Sequence, residues 1–321
     1  MKHSAAAAQS CQRNELDADA LLELGNYLRC RNYRFITVTP VTHDIHRRRT
    51  GLAESLRDIF GWNMPFEPEL IEAGLFEVLA RAKVVVPCGD VWRSTVRCST
   101  VADLLLIHSA YPTQEADAVF LGPDTYRFVR FLENFLDGGR EIHRAVDIGS
   151  GTGAAAIVIA SRCPTAQVLA VDINPLALQF CQVNTRLASL ANVETRLSDI
   201  MADVDGDFDL IVANPPYLLD AGMRTYRHGG GNLGEALSQR IVEEALVRLQ
   251  PGGSLLLYTG VAIVDGRDVF REQIEEQLRG RSCHWRYEEI DPDVFSEELH
   301  GAAYAQVERI AVVGLTLRVP Q

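Results

Sequence analysis

Lysine is nearly missing from this chain of 321 residues: Lys2 and Lys83 are the only two, and arginine supplies the rest of the basic charge. Long apolar runs are missing as well, so no segment reads as a membrane-spanning helix and no membrane partner is expected. The seven cysteines (Cys11, Cys30, Cys88, Cys98, Cys163, Cys181, Cys283) include no C-x-x-C pair. That pattern argues against a zinc site or a disulfide framework and favours reduced thiols in the cytoplasm. A broad basic surface is also lacking. Residues 1–120 hold 13 Lys+Arg against 15 Asp+Glu, and residues 121–321 hold 18 against 28, within a formal net charge of −12. An extended face for nucleic-acid backbone is therefore not expected. One local cluster departs from this: His46-Arg47-Arg48-Arg49, with Arg93 and Arg97 on a strand-like stretch nearby. Such short basic runs are read as solvated loops, with a local anion-binding patch as the alternative.

What is present divides into two patterns. Residues 1–14, with their short Ala tract, read as a disordered leader without the apolar core of a secretory signal. Residues 15–118 then read as a smaller α+β domain. Apolar residues recur at helical spacing over 18–31, 51–60 and 68–82. Strand-like stretches rich in Val, Thr and Ile follow at 83–87, 92–100 and 103–109. Three helices before a small sheet suit a winged-helix-like module. From residue 119 to 321 the pattern alternates. Strands are expected at 145–148, 167–173, 193–199, 207–213, 253–260, 284–290 and 307–319. Helices are expected at 154–162, 175–189, 233–250 and 267–280. Strands separated by helix-length segments predict a parallel sheet covered by helices on both faces.

The residues that carry chemistry stand at the ends of these strands. The first delivers Asp147-Ile148-Gly149-Ser150-Gly151-Thr152-Gly153, whose alternating glycines permit a sharp turn and close approach of a ligand to the backbone. The spacing is not the dinucleotide fingerprint, and no Lys-Ser/Thr pair follows as in a phosphate-cradling loop. The second strand ends at Asp172, before Ile173, where an acidic side chain can accept the hydroxyls of a ribose. Asp199 ends the third, beside Ile200, in reach of an adenine amino group. The fourth stops at Asn214-Pro215-Pro216-Tyr217, because two prolines remove two backbone donors and fix two φ angles. A single Asp at a strand end is usually a turn former or cap; four groups in order all face one crevice.

The run DIGSGTG, VDINP, SDI and NPPY resembles the class I S-adenosylmethionine-dependent methyltransferases, over roughly residues 120–315. Within them it is most similar to the HemK-like enzymes that methylate glutamine side-chain amides of proteins. Pro123 and Thr125, ahead of the first strand, match a segment of that group lying near the methyl donor; there Asp124 replaces an acidic neighbour and Tyr126 a Glu. The resemblance implies an α/β fold, a Rossmann-like seven-stranded class I methyltransferase sheet, beside the smaller N-terminal α+β domain. It implies S-adenosylmethionine as cofactor and S-adenosylhomocysteine as product. Asp147, Gly149 and Gly151 would shape the methionine side of the pocket, Asp172 would bind the ribose, and Asp199 with Ile200 would border the adenine. Thr125, Ser150, Gly153, Ile173 and Asn214 complete the cofactor set.

The proline elbow fits that chemistry. A planar group bearing NH₂ needs two acceptors, which the Asn214 side-chain oxygen and the Pro215 carbonyl can supply. Held there, its nitrogen is aimed for in-line transfer. Pro216 stiffens the elbow, and the Tyr217 ring is expected to pack on the planar group. The glycine-rich stretch after it, with Arg224, Arg227 and His228, is expected to be a mobile, partly basic loop over the pocket. No G-x-S-x-G elbow accompanies its His-Gly-Gly-Gly run, so hydrolase chemistry is set aside. Three functions remain in view: N-methylation of a protein glutamine, N-methylation of an exocyclic base amine in RNA or DNA, and binding of the cofactor without catalysis. A protein partner bearing glutamine is expected, with nucleic acid as the alternative. The oligomeric state is not expressed in the sequence.

Overall fold

The computed structural model describes residues 16–49, 51–113, 115–220 and 222–321. The expected leader, and Cys11 within it, lie outside the described residues.

The N-terminal module opens with helix α1 (Ala18–Cys30), whose first turn is capped by the Asp17 carboxylate accepting from the backbone of Asp19 and Ala20. Helix α2 (Pro40–Arg49) was not expected. Its sequence carries no apolar stripe, yet Pro40 presets φ at the first helical position and the basic run sits in the last turn, where it complements the helix dipole. The His46–Arg49 run is thus helical, not a loop. Short α3 (Leu56–Phe60) and α4 (Ala73–Arg81) follow, both trimmed relative to the periodicity.

The small strands form two hairpins, not one sheet. Strands β1 (Val85–Cys88) and β2 (Val91–Ser94) pair with each other, as do β3 (Val96–Val101) and β4 (Leu104–Ser109). The single strand expected over 92–100 breaks at Thr95. There the Ser94 hydroxyl donates to the Val96 carbonyl (2.7 Å) and accepts from the Val96 N–H (3.2 Å), competing with ladder pairing.

The second half begins with α5 (Pro123–Leu136), then alternates through β5 (Arg144–Ile148), α6 (Ala154–Arg162), β6 (Gln167–Asp172), α7 (Pro175–Leu187), β7 (Val193–Leu197) and β8 (Phe208–Ala213). It continues with α8 (Ala236–Arg248), β9 (Leu249–Val264), a two-residue β10 (Arg267–Asp268), α9 (Val269–Gln277), β11 (His284–Asp291) and β12 (Arg309–Arg318). The seven long strands run in the order β11-β12-β9-β8-β5-β6-β7, with β10 pairing against β9. Strands β9, β8, β5, β6 and β7 are parallel; β12 is antiparallel to both its neighbours. The expected mainly parallel sheet is therefore present. Successive side chains point to opposite faces. Ala145 of β5 packs with α5 and α6, whereas Val146 and Ile148 pack with α8 and α9. Strand order reverses between β5 and β8, the switch point at which open α/β sheets form a crevice beyond the carboxyl ends of their strands.

The N-terminal module shares a core with the second half. Leu21, Leu24 and Leu28 of α1 bury against Ala177, Phe180, Val183 and Leu187 of α7. Gly25 permits the approach, since a Cβ there would stand 2.7 Å from a Leu187 methyl. Buried Asn184 of α7 adds a polar tie: it accepts from the Ile107 N–H (2.8 Å) and donates to the carbonyls of Ile107 and Thr152 (3.0 Å each). One side chain thus links β4 to the glycine-rich turn. Asn184→Ala leaves those backbone groups buried and unpaired, and is expected to cost about 2–3 kcal/mol, read as a lower urea midpoint; an unchanged midpoint would mean the tie carries no stability.

Candidate active site

The switch point opens into a cleft of about 210 Å³. Its floor is the turn after β5. Gly149 and Gly151 adopt φ of +67° and +53°, conformations that cost any other side chain strain. A Cβ at Gly149 would meet no atom within 4 Å, and one at Gly151 only a carbonyl at that limit, so the missing side chains leave open space above the turn. Gly153 is different: it precedes α6 outside the cleft lining, and a Cβ there would strike Cys181. Its role is helix–helix approach.

Three carboxylates set the walls. Asp147 points toward α6, where it is fully buried and accepts from the Ala156 N–H at 3.0 Å. Burial, with Asp172 nearby, pushes its carboxyl up to about 7. Asp172, at the end of β6, accepts from Gly151 N–H on one oxygen and from Asn174 N–H on the other, each at 2.9 Å. The carboxylate therefore fixes the glycine turn while each oxygen keeps a lone pair for a ligand. Beside it Ile173 is 53% exposed, an apolar side chain standing at the cleft mouth. Asp199 is exposed and ion-paired with Arg240 at 3.0 Å, and Ile200 next to it is buried.

The elbow after β8 closes the cleft. Among the described residues the Asn214 side chain and the Pro215 carbonyl have no hydrogen-bond partner, and both residues line the cleft with Pro216 and Tyr217. The Tyr217 ring does not lie open as a stacking platform. It is buried against Phe295, with ring centroids 6.0 Å apart, and Gly260 of β9 leaves the room it occupies. Its hydroxyl donates to Asp124 at 2.8 Å, and the Tyr258 hydroxyl donates to the other Asp124 oxygen at 2.9 Å. Burial raises the Asp124 carboxyl despite these two bonds and Arg127 at 3.5 Å. Asp124 was noted in its segment without a role, and Tyr258 was not noted from sequence. The available signal was an acidic residue two positions before Tyr126 in the Gly-Pro-Asp-Thr segment; Tyr258, inside an apolar strand, gave none. Thr125 lines the cleft one residue on, its hydroxyl accepting weakly from the Gly122 N–H at 3.4 Å.

The loop expected to be mobile and basic is instead stapled down. Arg224 binds both oxygens of Asp220, which pulls that carboxyl down to about 2. Arg227 pairs with Glu298, and the Tyr226 hydroxyl donates to the Thr113 carbonyl at 2.6 Å. His228 accepts from the Asp220 N–H through Nδ1 (3.2 Å) and so serves the loop, not chemistry. Gly229 and Gly234 let the loop backbone lie directly on the elbow. Thr225, Tyr226 and Arg227 still line the cleft. Among the described residues lining the cleft, Asp172 has no cationic partner, Asp124 and Asp199 pair with Arg127 and Arg240 outside the lining, and Arg227 is itself paired with Glu298, so the lining favours a cationic ligand.

The family model for the methyltransferase small domain matches residues 129–262. The sheet half is similar to class I methyltransferases close to the HemK-like group, as the sequence motifs implied. Among curated proteins, the release factor glutamine methyltransferase of Deinococcus radiodurans is 38% identical over 124 residues, covering 36% of this chain and 44% of that protein. Its namesake in Koribacter versatilis is 33% identical over 160 residues, covering 44% and 57%. A ribosomal RNA small subunit methyltransferase C of Haemophilus influenzae is 26% identical, covering 57% of this chain and 49% of its own length. The chain thus spans about half the length of the curated relatives it matches. A solved tRNA m1G37 methyltransferase of M. jannaschii has a TM-score of 0.48 at 17% identity, covering 71% of this chain and 57% of its own.

The raised Asp147 carboxyl has a testable sign. The folded group binds its proton more tightly than the unfolded one, so its contribution is most favourable below about pH 4 and is lost as pH rises through about 7. Asp147→Asn keeps an acceptor for Ala156. Its stability relative to the unsubstituted protein is expected to improve between those pH values, by up to about 1.4 kcal/mol per pH unit in urea titrations. A difference that stays flat with pH would remove the assignment.

Proposed function

We propose that this protein is an S-adenosylmethionine-dependent methyltransferase that acts on the side-chain amide nitrogen of a glutamine in a protein and releases S-adenosylhomocysteine. The observation that carries the reading is the pair of unengaged acceptors, Asn214 Oδ1 and the Pro215 carbonyl, at the mouth of an acidic cleft floored by open glycines. The residues present fit the cofactor: Gly149 and Gly151 leave room for it, the carboxylates suit its positive charge, and Asp172 beside Ile173 offers acceptors and an apolar side for a nucleoside. When bound, it supplies an electrophilic methyl group on a sulfonium. The chain does the rest. Asn214 and Pro215 accept the two amide N–H bonds and orient the nitrogen lone pair toward the methyl. The same acceptors would offset positive charge growing on the amide nitrogen as it takes up the methyl group, until its proton passes to water. Asp124 holds the Tyr217 end of the elbow and so fixes both acceptors in place.

The names of the glutamine methyltransferase relatives support the glutamine reading over a base amine, which would meet the same two acceptors. The six described cysteines are free, which suits a reducing compartment such as the cytoplasm.

Two substitutions test the reading. With radiolabelled donor and matching cell extract, Asn214→Ala is expected to bind donor normally while transfer falls about 100-fold or more; unchanged transfer would end the acceptor role. Label should survive nuclease and be lost to protease, and the reverse would assign a base amine. Asp172→Ala is expected to weaken donor binding about 10-fold or more in calorimetry, through loss of charge-assisted hydrogen bonds; unchanged affinity would end the ribose assignment.

A further inference from the structure

Five arginines of the N-terminal module gather where the end of α2 meets β2 and β3. Arg47, Arg48 and Arg49 form the last turn of α2, Arg93 stands on β2 and Arg97 on β3. The guanidinium carbons of Arg47 and Arg97 each lie 5.8 Å from the centre of the Tyr111 ring, and Arg93 feels the charge of Arg47. None of the five has a carboxylate at ion-pair distance among the described residues. Elsewhere in the chain Arg31, Arg81, Arg127, Arg162, Arg186 and Arg240 are all paired. Asp44, on the same helix, is taken by the Tyr111 hydroxyl at 2.9 Å.

Two of these cations are more than solvated surface charge. Arg97 is only 2% exposed, and the Nε atoms of Arg93 and Arg97 are buried with no acceptor. Burial lowers the Arg97 guanidinium to about 10. A buried cation without a partner is costly, and an incoming anion relieves that cost. Aromatic rings interleave with the charges. His43 lies 4.1 Å from Tyr111 and 5.4 Å from Trp62, and His46 stacks on Trp62 at 3.7 Å. Burial and Arg97 depress His43 to about 4, so that ring is neutral at pH 7. Val41 and Ile45, both exposed, continue the outer side of α2 toward Arg48 and Arg49.

We infer that the surface around the end of α2, with β2 and β3, binds single-stranded nucleic acid, its arginines on the phosphodiester backbone and the half-buried Trp62 and Tyr111 with the exposed Val41 and Ile45 against the bases. Guanidinium groups alternating with ring faces match a flexible strand with accessible bases. A duplex keeps its bases stacked and out of reach of such rings. The negative charge of the rest of the chain confines a polyanion to this surface. Tyr226 of the cleft lining donates to the Thr113 carbonyl, two residues after Tyr111, so this surface adjoins the cleft wall. The inference does not depend on which nitrogen is methylated.

The test is fluorescence anisotropy of the full chain with labelled oligouridine and oligodeoxythymidine of about 20 nucleotides, without methyl donor, from about 50 to 200 mM salt. Affinity is expected to fall with salt at about 0.7 log units per log unit for each phosphate contacted. Joint Arg47→Ala, Arg48→Ala and Arg49→Ala substitution should flatten that slope by about 2 and weaken binding at least about tenfold at low salt. The pair Arg48→Glu and Arg49→Glu, changing only exposed side chains, should do the same if the triple variant folds poorly. Asn214→Ala should bind as the unsubstituted protein does, which separates this result from any failure of methyl transfer. Tighter binding of one oligonucleotide assigns the sugar. Absent or salt-independent binding, unchanged binding in the arginine variants, equal binding of a duplex, or displacement by polyglutamate at equal charge would each overturn the inference.

Discussion

A single buried carboxylate, Asp124, joins the parts that make the candidate site. It accepts from Tyr217 at the proline elbow after β8 and from Tyr258 within β9, and it sits in the first turn of α5. Three separately folded elements thus converge on two oxygens. A carboxylate so deeply buried would ordinarily lose its charge or be excluded. Two phenol donors compensate it, and the outcome is an elbow whose direction is set from outside its own sequence. The prolines stiffen the elbow locally; Asp124 determines where the stiff piece points. Asn214 needs no hydrogen bond to hold it, because the residue three positions on is anchored at both ring and hydroxyl.

Charge is divided across the molecule in a way that follows from the same economy of pairing. Around the cleft, carboxylates outnumber cations, and the arginines that approach it are neutralised by Asp220 and Glu298. Around the end of α2 the opposite holds: cations gather, and among the described residues Asp44 is engaged by Tyr111. The loop after the elbow looks basic as a string of letters and is nearly neutral as a structure. The run in α2 looks like any surface charge and is the less compensated of the two. Partner geometry, not composition, separates them.

The centre of the sheet was legible because β5, β6 and β8 are short apolar runs ended by residues that interrupt them. Asp172, Asp199 and Asn214 each fall at a carboxyl end, so register and site were written together. Gly149 and Gly151 were legible for a similar reason: a turn with φ positive and a ligand above it leaves few other residues. What escaped was set by distant contact. Helix α2 lacks the apolar period that periodicity detects. The break at Thr95 depends on one hydroxyl competing with a ladder. Gly153 belongs to the same alternating triplet as its neighbours, yet it meets Cys181 of α7, a contact invisible along the chain. Tyr217 was found, but its direction was not, since burial under Gly260 and pairing with Asp124 come from segments about 40 and 90 residues away.

The α1–α7 contact bears on the ancestry and handling of the protein. An appended domain tethered by a linker can be gained, lost or exchanged with little effect on its neighbour. Here Ala177, Phe180, Val183 and Leu187 of the sheet half are buried in one cluster with the core of the N-terminal module. Stripping residues before 119 would turn that stripe of α7 to water, at roughly 1.5–3 kcal/mol for each large side chain uncovered. The sheet half would then carry a sticky face, and Asn184 would lose both its bonds to Ile107. A substitution at the α1–α7 contact is therefore felt in both halves, and the N-terminal module is as much a part of the packed core as the strands themselves.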